Sequence, residues 1–339
     1  MIRDVSHLEA LLSEPSNAAV AAMSRIDGDV LILGVGGKMG PSLARMLVRA
    51  SQQAGIDRKV RAVSRFSKET LRDQLHTDGI ETIAGDLGDE AFIAGLPDAA
   101  NVIFMAGMKF GTGDNPSTTW AMNTYVPALI CRRFRDSRIL SFSTGNVYPL
   151  VPTDSEGSVE TDTPGPVGEY AMSALGRERT FEFFCRQDEV PTTIVRLNYA
   201  VEMRYGVLVD LAQQVQAEQT IDLSMGYANV IWQADANAMA IAAMADAAVP
   251  PYVVNVAGPE LVDVRATCER FGELLGKPVK FSGEPASTAL LNNGHAGHQR
   301  YGVPRVTLDQ LIEWTADWIK QGGETHGKAT HFQTRDGKF

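Results

Sequence analysis

The segment LGVGGKMG at 33–40 holds the residues whose spacing most directly implies chemistry. Gly34, Gly37 and Gly40 form G-x-x-G-x-x-G, with Gly36 as an extra glycine. An apolar run, VLILG at 30–34, leads into the turn, and a helical pattern over 40–54 leaves it, with Pro41 in the first turn. Positions without a Cβ let the backbone approach a pyrophosphate. The helix N-terminus then aims N–H donors and a favourable dipole at it. This predicts a dinucleotide site containing Gly34, Gly37, Lys38, Met39 and Gly40. The end of the next strand, VRAV at 60–63, should address the ribose beside adenine. An acidic residue there would favour a free 2′-hydroxyl, but the chain has Ser64, Arg65 and Phe66. Arg65 suits a 2′-phosphate and the adenine face, and Lys38 adds positive charge nearby. NADP is therefore expected in preference to NAD.

Two further sets of residues have chemical potential. His295 and His298 form H-x-x-H in NNGHAGHQR, and His326 and His331 follow. Two loop histidines do not complete a tetrahedral site, so no metal is expected. His295, His298 and Arg300 are instead expected in a polar loop over the substrate pocket. Cys131, Cys185 and Cys268 are far apart and form no C-x-x-C pair. No disulfide framework is expected, Cys185 is assigned to the core, and a reducing compartment fits.

The elements that must position these residues alternate along the chain. Strands are expected at 30–34, 60–63, 81–85, 101–107, 138–144, 192–197 and 252–258. Helices are expected at 40–54, 67–76, 117–135, 169–187, 206–218, 235–247, 263–275 and 307–321. Strands separated by helices imply a parallel sheet covered on both faces, an α/β doubly wound fold. Residues 1–27 form a helical extension, broken at Pro15. Residues 28–200 form mainly the dinucleotide-binding domain, and 201–321 mainly a smaller C-terminal substrate lobe. The polar tail, 322–339, is expected to contribute little core.

Composition narrows the function classes. The 339 residues are 44% hydrophobic and 21% charged, which suits a globular chain with a sizeable core. Lys+Arg 31 against Asp+Glu 41 gives a net charge of −10, so a phosphate backbone would on average be repelled. No nucleic-acid partner is expected. No apolar run approaches the ~18–20 residues that cross a bilayer, and the N-terminus does not read as a signal peptide. A cytoplasmic protein without a membrane partner is expected.

Six segments in order carry a resemblance: GVGGKMG at 34–40, GDLGD at 85–89, MAG at 105–107, STGNVY at 143–148, EYAMSALGRE at 169–178 and VNVAGPE at 254–260. Over about residues 28–320 the chain resembles the NAD-dependent epimerase/dehydratase family of the extended short-chain dehydrogenase/reductases. The resemblance implies a Rossmann-type domain with a smaller substrate lobe. It also implies a homodimer joined by two helices from each subunit, placed here near 117–135 and 169–187. Asp86 and Leu87 match positions lining adenine, Ala106 and Gly107 the turn after the fourth strand, and Asn123 a helix position near the cofactor. Thr144 matches the active-site Ser/Thr and Tyr170 the catalytic tyrosine. Arg196, Asn198 and Tyr199 resemble the segment that passes the nicotinamide. Trp232, Gln233 and Asp235 resemble the return from the lobe, with Asp235 as a cap or ion-pair acceptor.

One position departs from the pattern. The family's tyrosine is followed four residues later by a lysine, and this chain has Ala174. Lys109, after the fourth strand, and Arg177, seven residues beyond Tyr170, are the candidate replacement cations, with Lys109 leading. The implied function is an NAD(P)-dependent oxidoreductase or epimerase/dehydratase-like enzyme acting on a sugar, sugar acid or nucleotide sugar. The alternative is a catalytically impaired NADP(H)-binding sensor or regulatory protein.

Overall fold

The computed structural model describes residues 1–67, 69–109 and 115–338. Its centre is a sheet of seven parallel strands. Five are β1 (Val30–Leu33), β2 (Val60–Ser64), β3 (Glu81–Ala84), β4 (Asn101–Phe104) and β5 (Arg138–Thr144). The strands Thr192–Leu197 and Tyr252–Val256 complete it, and the spatial order is β3-β2-β1-β4-β5-(192–197)-(252–256). The order reverses between β1 and β4, which opens a crevice at the carboxyl ends of those strands. The expected doubly wound Rossmann-type sheet is thus the fold of the chain.

All four residues of β1 are buried because helices cover both faces. Val30 and Ile32 join the core on one side, and Leu31 and Leu33 join the other with Phe104, Ile130 and Phe181. Each such side chain contributes about 1.5–3 kcal/mol through burial. The first layer holds α1 (Val5–Leu12), α2 (Asn17–Arg25) and α3 (Gly40–Gln53). The links to β3 and β4 hold α4 (Glu69–Thr77) and α5 (Glu90–Ala94). On the opposite face α6 (Pro116–Trp120) runs through a π-helical turn, Ala121–Tyr125, into α7 (Val126–Arg133). That unit packs on α8 (Gly168–Gln187), where Gly176 permits the approach: a Cβ there would lie 2.8 Å from Thr124 Cγ2.

The remaining helices are α9 (Val207–Gln216), α10 (Gln233–Met244), α11 (Val264–Leu275), α12 (His295–Tyr301) and α13 (Leu308–Lys320). Every residue of α10 is buried, since it packs against α2, α3 and the sheet. Its alanine content answers that crowding. Asp235 accepts from Arg305 Nε at 2.8 Å and from the Arg305 backbone N–H at 2.8 Å, the structural role expected of it. Among the described residues, no helix is long and apolar enough to cross a membrane.

Three features differ from the sequence expectations. Among the described residues, four two-stranded sheets of two or three residues per strand accompany the large sheet, too short for periodicity to reveal. His295, His298 and Arg300 lie on α12 rather than in a loop. Gly297 brings this helix onto the edge strand, His298 Nε2 lies 2.8 Å from the Ala257 carbonyl, and Arg300 pairs with Asp246. The tail packs back over the molecule, burying Thr330 and Phe332. A single phenylalanine in a polar run gives no periodic signal.

A buried ion pair ties the sheet to α8. Arg196 Nη2 lies 2.7 Å from Glu178 Oε2, and both side chains are under one-tenth exposed. Ser143 also donates to Glu178, and the Tyr148 hydroxyl accepts from Arg196 Nη1 at 2.7 Å and donates to Asn255 Oδ1 at 2.9 Å. Removing one member leaves an uncompensated buried charge. Arg196→Met is expected to lower unfolding free energy by about 3–5 kcal/mol in urea denaturation. A loss under ~1 kcal/mol would show that the pair is not holding α8 to the sheet.

Candidate active site

The glycines of the turn do different things. Gly34 has φ +97°, and a Cβ there would lie 2.6 Å from the Ala106 nitrogen, so the turn and the end of β4 need it bare. A Cβ on Gly40 would lie 2.1 Å from the Val35 carbonyl oxygen, inside the first turn of α3. Gly36 is pressed on the Ser64 hydroxyl. Gly37 differs: a Cβ there would meet nothing nearer than 3.7 Å. Packing does not require glycine at 37, yet the residue borders both cavities of the cleft. A turn that stays bare where the protein itself has room, at a helix N-terminus, fits a diphosphate.

The two cavities share Gly37, Lys38 and Tyr205. One is a broad groove of about 680 Å³ that includes Gly36, Ser64, Phe66, Arg45 and Gln74. The other holds about 240 Å³ beside Met39, Lys109, Thr144, Asn198 and Tyr199. Lys38 stands at the waist between them. Its ammonium donates to the Ala200 carbonyl at 2.6 Å and lies 4.6 Å from the centre of the Tyr205 ring. Burial lowers its pKa to about 8, against the opposing pull of Glu202. Lys38, expected to add positive charge near the end of β2, thus turns to the centre of the cleft, where its long stem can be buried.

Other expected residues divide into two groups. Ser64 lines the groove, while Arg65 is exposed at its end and does not line it. Asp86 turns back to accept from the Gly88 backbone at 2.9 Å, Leu87 is core, and neither lines these two cavities. Ala106 abuts the glycine turn. Asn123, buried in the π-helical turn, accepts from the Met108 N–H at 3.3 Å and donates to the Met108 carbonyl at 3.3 Å. It thereby fixes the backbone between Gly107 and Lys109.

Tyr170 and Thr144 meet. Thr144, at the end of β5, hydrogen-bonds the Tyr170 hydroxyl and accepts from the Asn146 N–H at 3.2 Å. Burial raises the Tyr170 pKa; the Arg177 charge and the Thr144 hydrogen bond oppose that rise. Lys109 Nζ lies 5.8 Å from the centre of the Tyr170 ring, and burial holds its pKa at about 8, with Asp210 opposing. Ala174 is buried with Val147 and Tyr148. Lys109 thus approaches the tyrosine ring, while Arg177 supplies the charge that opposes the effect of burial on its hydroxyl.

Arg177 follows Tyr170 by seven residues, two turns along the same face of α8. Its guanidinium is buried, donates to the Phe142 carbonyl at 2.8 Å and to Asn123 Oδ1, and lies 5.7 Å from the centre of the Phe104 ring. Gly107 makes that position available: a Cβ there would lie 2.2 Å from Arg177 Nη2. Arg196 is absorbed by Glu178, whereas Asn198 and Tyr199 line the smaller cavity as the resemblance implies. Residues missed from sequence are Tyr205, Asn146 and Thr330 on that cavity and Arg45 on the groove. Arg45 had a legible signal, since it is a cation one turn into the helix that follows the glycine turn. Thr330 had none.

A seven-stranded Rossmann-type sheet, a bare glycine turn at its crevice and a Tyr–Thr pair whose threonine shares a cavity with that turn define the class of extended short-chain dehydrogenase/reductase-like proteins. The chain belongs to the NAD dependent epimerase/dehydratase family, whose model matches residues 30–201. No curated protein matches the chain. Among solved structures, dTDP-glucose 4,6-dehydratase from Streptomyces venezuelae, with NAD and TYD bound, is 16% identical with a TM-score of 0.73, over 86% of this chain and 97% of its own. UDP-glucose 4-epimerase from Thermotoga maritima, with UDP-glucose, is 15% identical with a TM-score of 0.71, over 87% and 99%. UDP-glucuronic acid 4-epimerase from Bacillus cereus, in complex with NAD, is 16% identical with a TM-score of 0.70, over 88% and 99%. At these identities the likeness is one of fold.

Proposed function

We propose that the chain is an NAD(P)-dependent oxidoreductase of the epimerase/dehydratase type, acting at a hydroxyl-bearing carbon of a sugar-related substrate. The observation that carries this reading is the cavity that brings Gly37, Lys38 and Met39 of the turn to Thr144, the hydrogen-bond partner of Tyr170. The backbone N–H groups of the turn hold the diphosphate, with the Lys38 ammonium at the waist of the cleft. Ser64 in the groove, and Arg65, exposed just outside its lining, address the adenosine ribose. With no carboxylate at the end of β2 to bind a free 2′-hydroxyl, NADP is preferred to NAD. A bound nicotinamide supplies a hydride acceptor and store.

The protein's own part is proton transfer and orientation. Thr144 orients the substrate oxygen, and Tyr170 takes or returns its proton. An unassisted tyrosine ionises near pH ~10, too high for an efficient base at neutral pH. Burial holds the Tyr170 pKa above that value; the Arg177 charge and the Thr144 hydrogen bond oppose the rise, and Lys109 lies over the ring from the β4 side. The sensor reading rests on Ala174 and is the one to adopt if cofactor binds but no substrate is turned over.

The subunit forms a homodimer through α8 and the α6–α7 unit. Tyr125, Met172 and Phe183 are 49%, 44% and 56% exposed, and all lie on those two helices. Large exposed apolar side chains on both elements support an interface there. Phe183→Glu is expected to convert a dimer to a monomer in sedimentation equilibrium at micromolar concentration. A parent protein that is monomeric under the same conditions contradicts the assignment.

Cofactor titration tests the functional reading. Gly37→Val should keep the parent's circular dichroism and melting temperature but lose at least tenfold in NADPH affinity, followed by quenching of protein fluorescence. Arg65→Ala should weaken NADPH selectively over NADH. Unchanged NADPH and NADH affinities in folded Gly37→Val would remove the placement.

A further inference from the structure

The last segment of the chain runs the length of the cleft. His326 and Lys328 border the broad groove, and Thr330 lines the smaller cavity. Thr334, Arg335 and Gly337 line an adjoining recess of about 40 Å³, with Asn146 and Tyr199 on its other side. This path is anchored on both walls. On the lobe side, Thr330 donates to Asp210 through its N–H at 2.8 Å and its hydroxyl at 2.6 Å. Arg335 Nη1 donates to the Thr288 carbonyl at 2.7 Å, and Phe332 is buried between these anchors in sequence.

On the other side the segment meets the start of α8, just before Tyr170. Gly168 and Gly337 have φ +84° and +73°. A Cβ on Gly168 would lie 2.4 Å from the Gly337 carbonyl oxygen, and one on Gly337 would lie 2.2 Å from the Val167 carbonyl oxygen. The backbones touch where both residues are bare. The segment therefore bridges the lobe to the catalytic helix across the mouth of the site.

We infer that residues 326–337 are a wall of the substrate site and restrict it to a compact substrate, a free sugar or sugar acid without a nucleotidyl group; the inference rests on the oxidoreductase reading above. The cavity of about 240 Å³ must receive the nicotinamide end of the cofactor as well as the substrate. Sites for drug-sized ligands alone run to ~300–1,000 Å³. The recess of about 40 Å³ adds room for only a few waters, each needing ~10–15 Å³ of such space. With the cofactor along the glycine turn, a nucleoside diphosphate attached to the sugar must leave between the lobe and α8. There the path meets Arg335 on Thr288 and Gly337 on Val167.

The test uses the full chain and two variants that loosen the strap at different points, Phe332→Asp and Gly337→Val. Calorimetric titration with UDP-glucose is run with and without NADPH, and NADPH affinity is measured separately. Release of the segment is read by trypsin cleavage after Lys328 and Arg335. The full chain is expected to show no UDP-glucose binding at millimolar concentration. Each variant should be cleaved faster and gain at least tenfold in UDP-glucose affinity, with NADPH affinity within twofold of the parent. In a turnover screen of free hexoses, hexuronic acids and their UDP conjugates, only unconjugated compounds should react with the full chain. UDP-glucose binding or turnover by the full chain with its tail protected from trypsin overturns the inference, as does a released variant that gains no affinity. Failure to bind NADPH or NADH at all would instead refute the oxidoreductase reading, and the UDP-glucose titrations without cofactor would still decide the role of the wall.

Discussion

A guanidinium buried beneath the tyrosine constrains the whole site. Taking Arg177 out of water costs several kcal/mol unless its donors are met, so its surroundings must be built around it. The Phe142 carbonyl and Asn123 Oδ1 accept from its two terminal nitrogens, Gly107 leaves the space one of them fills, and among the described residues its Nε has no hydrogen-bond acceptor. Asn123 reaches it from a π-helical turn, a local widening of the helix of the kind found at functional sites. The same Asn123 grips Met108 and so sets Lys109 over the Tyr170 ring. One buried charge thereby links β4, β5, the π-helical turn and α8. The absence of a lysine at 174 has a physical counterpart: the charge arrives from one turn further along the helix.

The two ends of the chain complete the cleft around this centre. Glu9, on α1, pairs with Arg45 of α3 at 2.5 Å and with Arg204 of the lobe at 2.7 Å. The N-terminal extension thus joins the glycine-turn helix to the lobe across the broad groove. The C-terminal segment does the same across the smaller cavity, from Asp210 to Val167. Neither terminal segment is an appendage. Each ties Rossmann domain and lobe at a different end of the cleft, which gives the cleft its depth and the reacting groups their shelter from water.

The sheet was legible in the sequence because its strands are buried on both faces and read as short apolar runs. Arg138–Thr144 and Thr192–Leu197 have the expected bounds. Gly34 and Gly40 were legible because steric demand and glycine coincide. The Tyr170–Thr144 pair was found by resemblance, not by pattern, since two hydroxyls 26 positions apart have no local signature. What the sequence left unread depends on long-range contact. Lys38 follows the glycine turn, but its direction is set by the Ala200 carbonyl and the Tyr205 ring. Arg177 acts on Tyr170 because a carbonyl from β5 and an amide from the π-helical turn hold it in place. The tail's course depends on contacts such as those of Thr330 with Asp210 and Gly337 with Val167, far apart in sequence.

The groups facing Tyr170 are Arg177 from α8, Thr144 from β5, Lys109 after β4, and Tyr199 and Tyr205 from the lobe side. A nearby cation stabilises tyrosinate and lowers the pKa, so its removal must raise it. The most direct measurement is the Tyr170 ionisation itself, followed by NMR of protein carrying ¹³Cζ-tyrosine, with Tyr170→Phe assigning the resonance. Arg177→Met should move the transition to higher pH by more than Lys109→Met does, and Arg177→Lys should restore part of the shift. An unmoved Tyr170 transition in folded Arg177→Met would contradict the central claim that this buried guanidinium supplies the charge of the site.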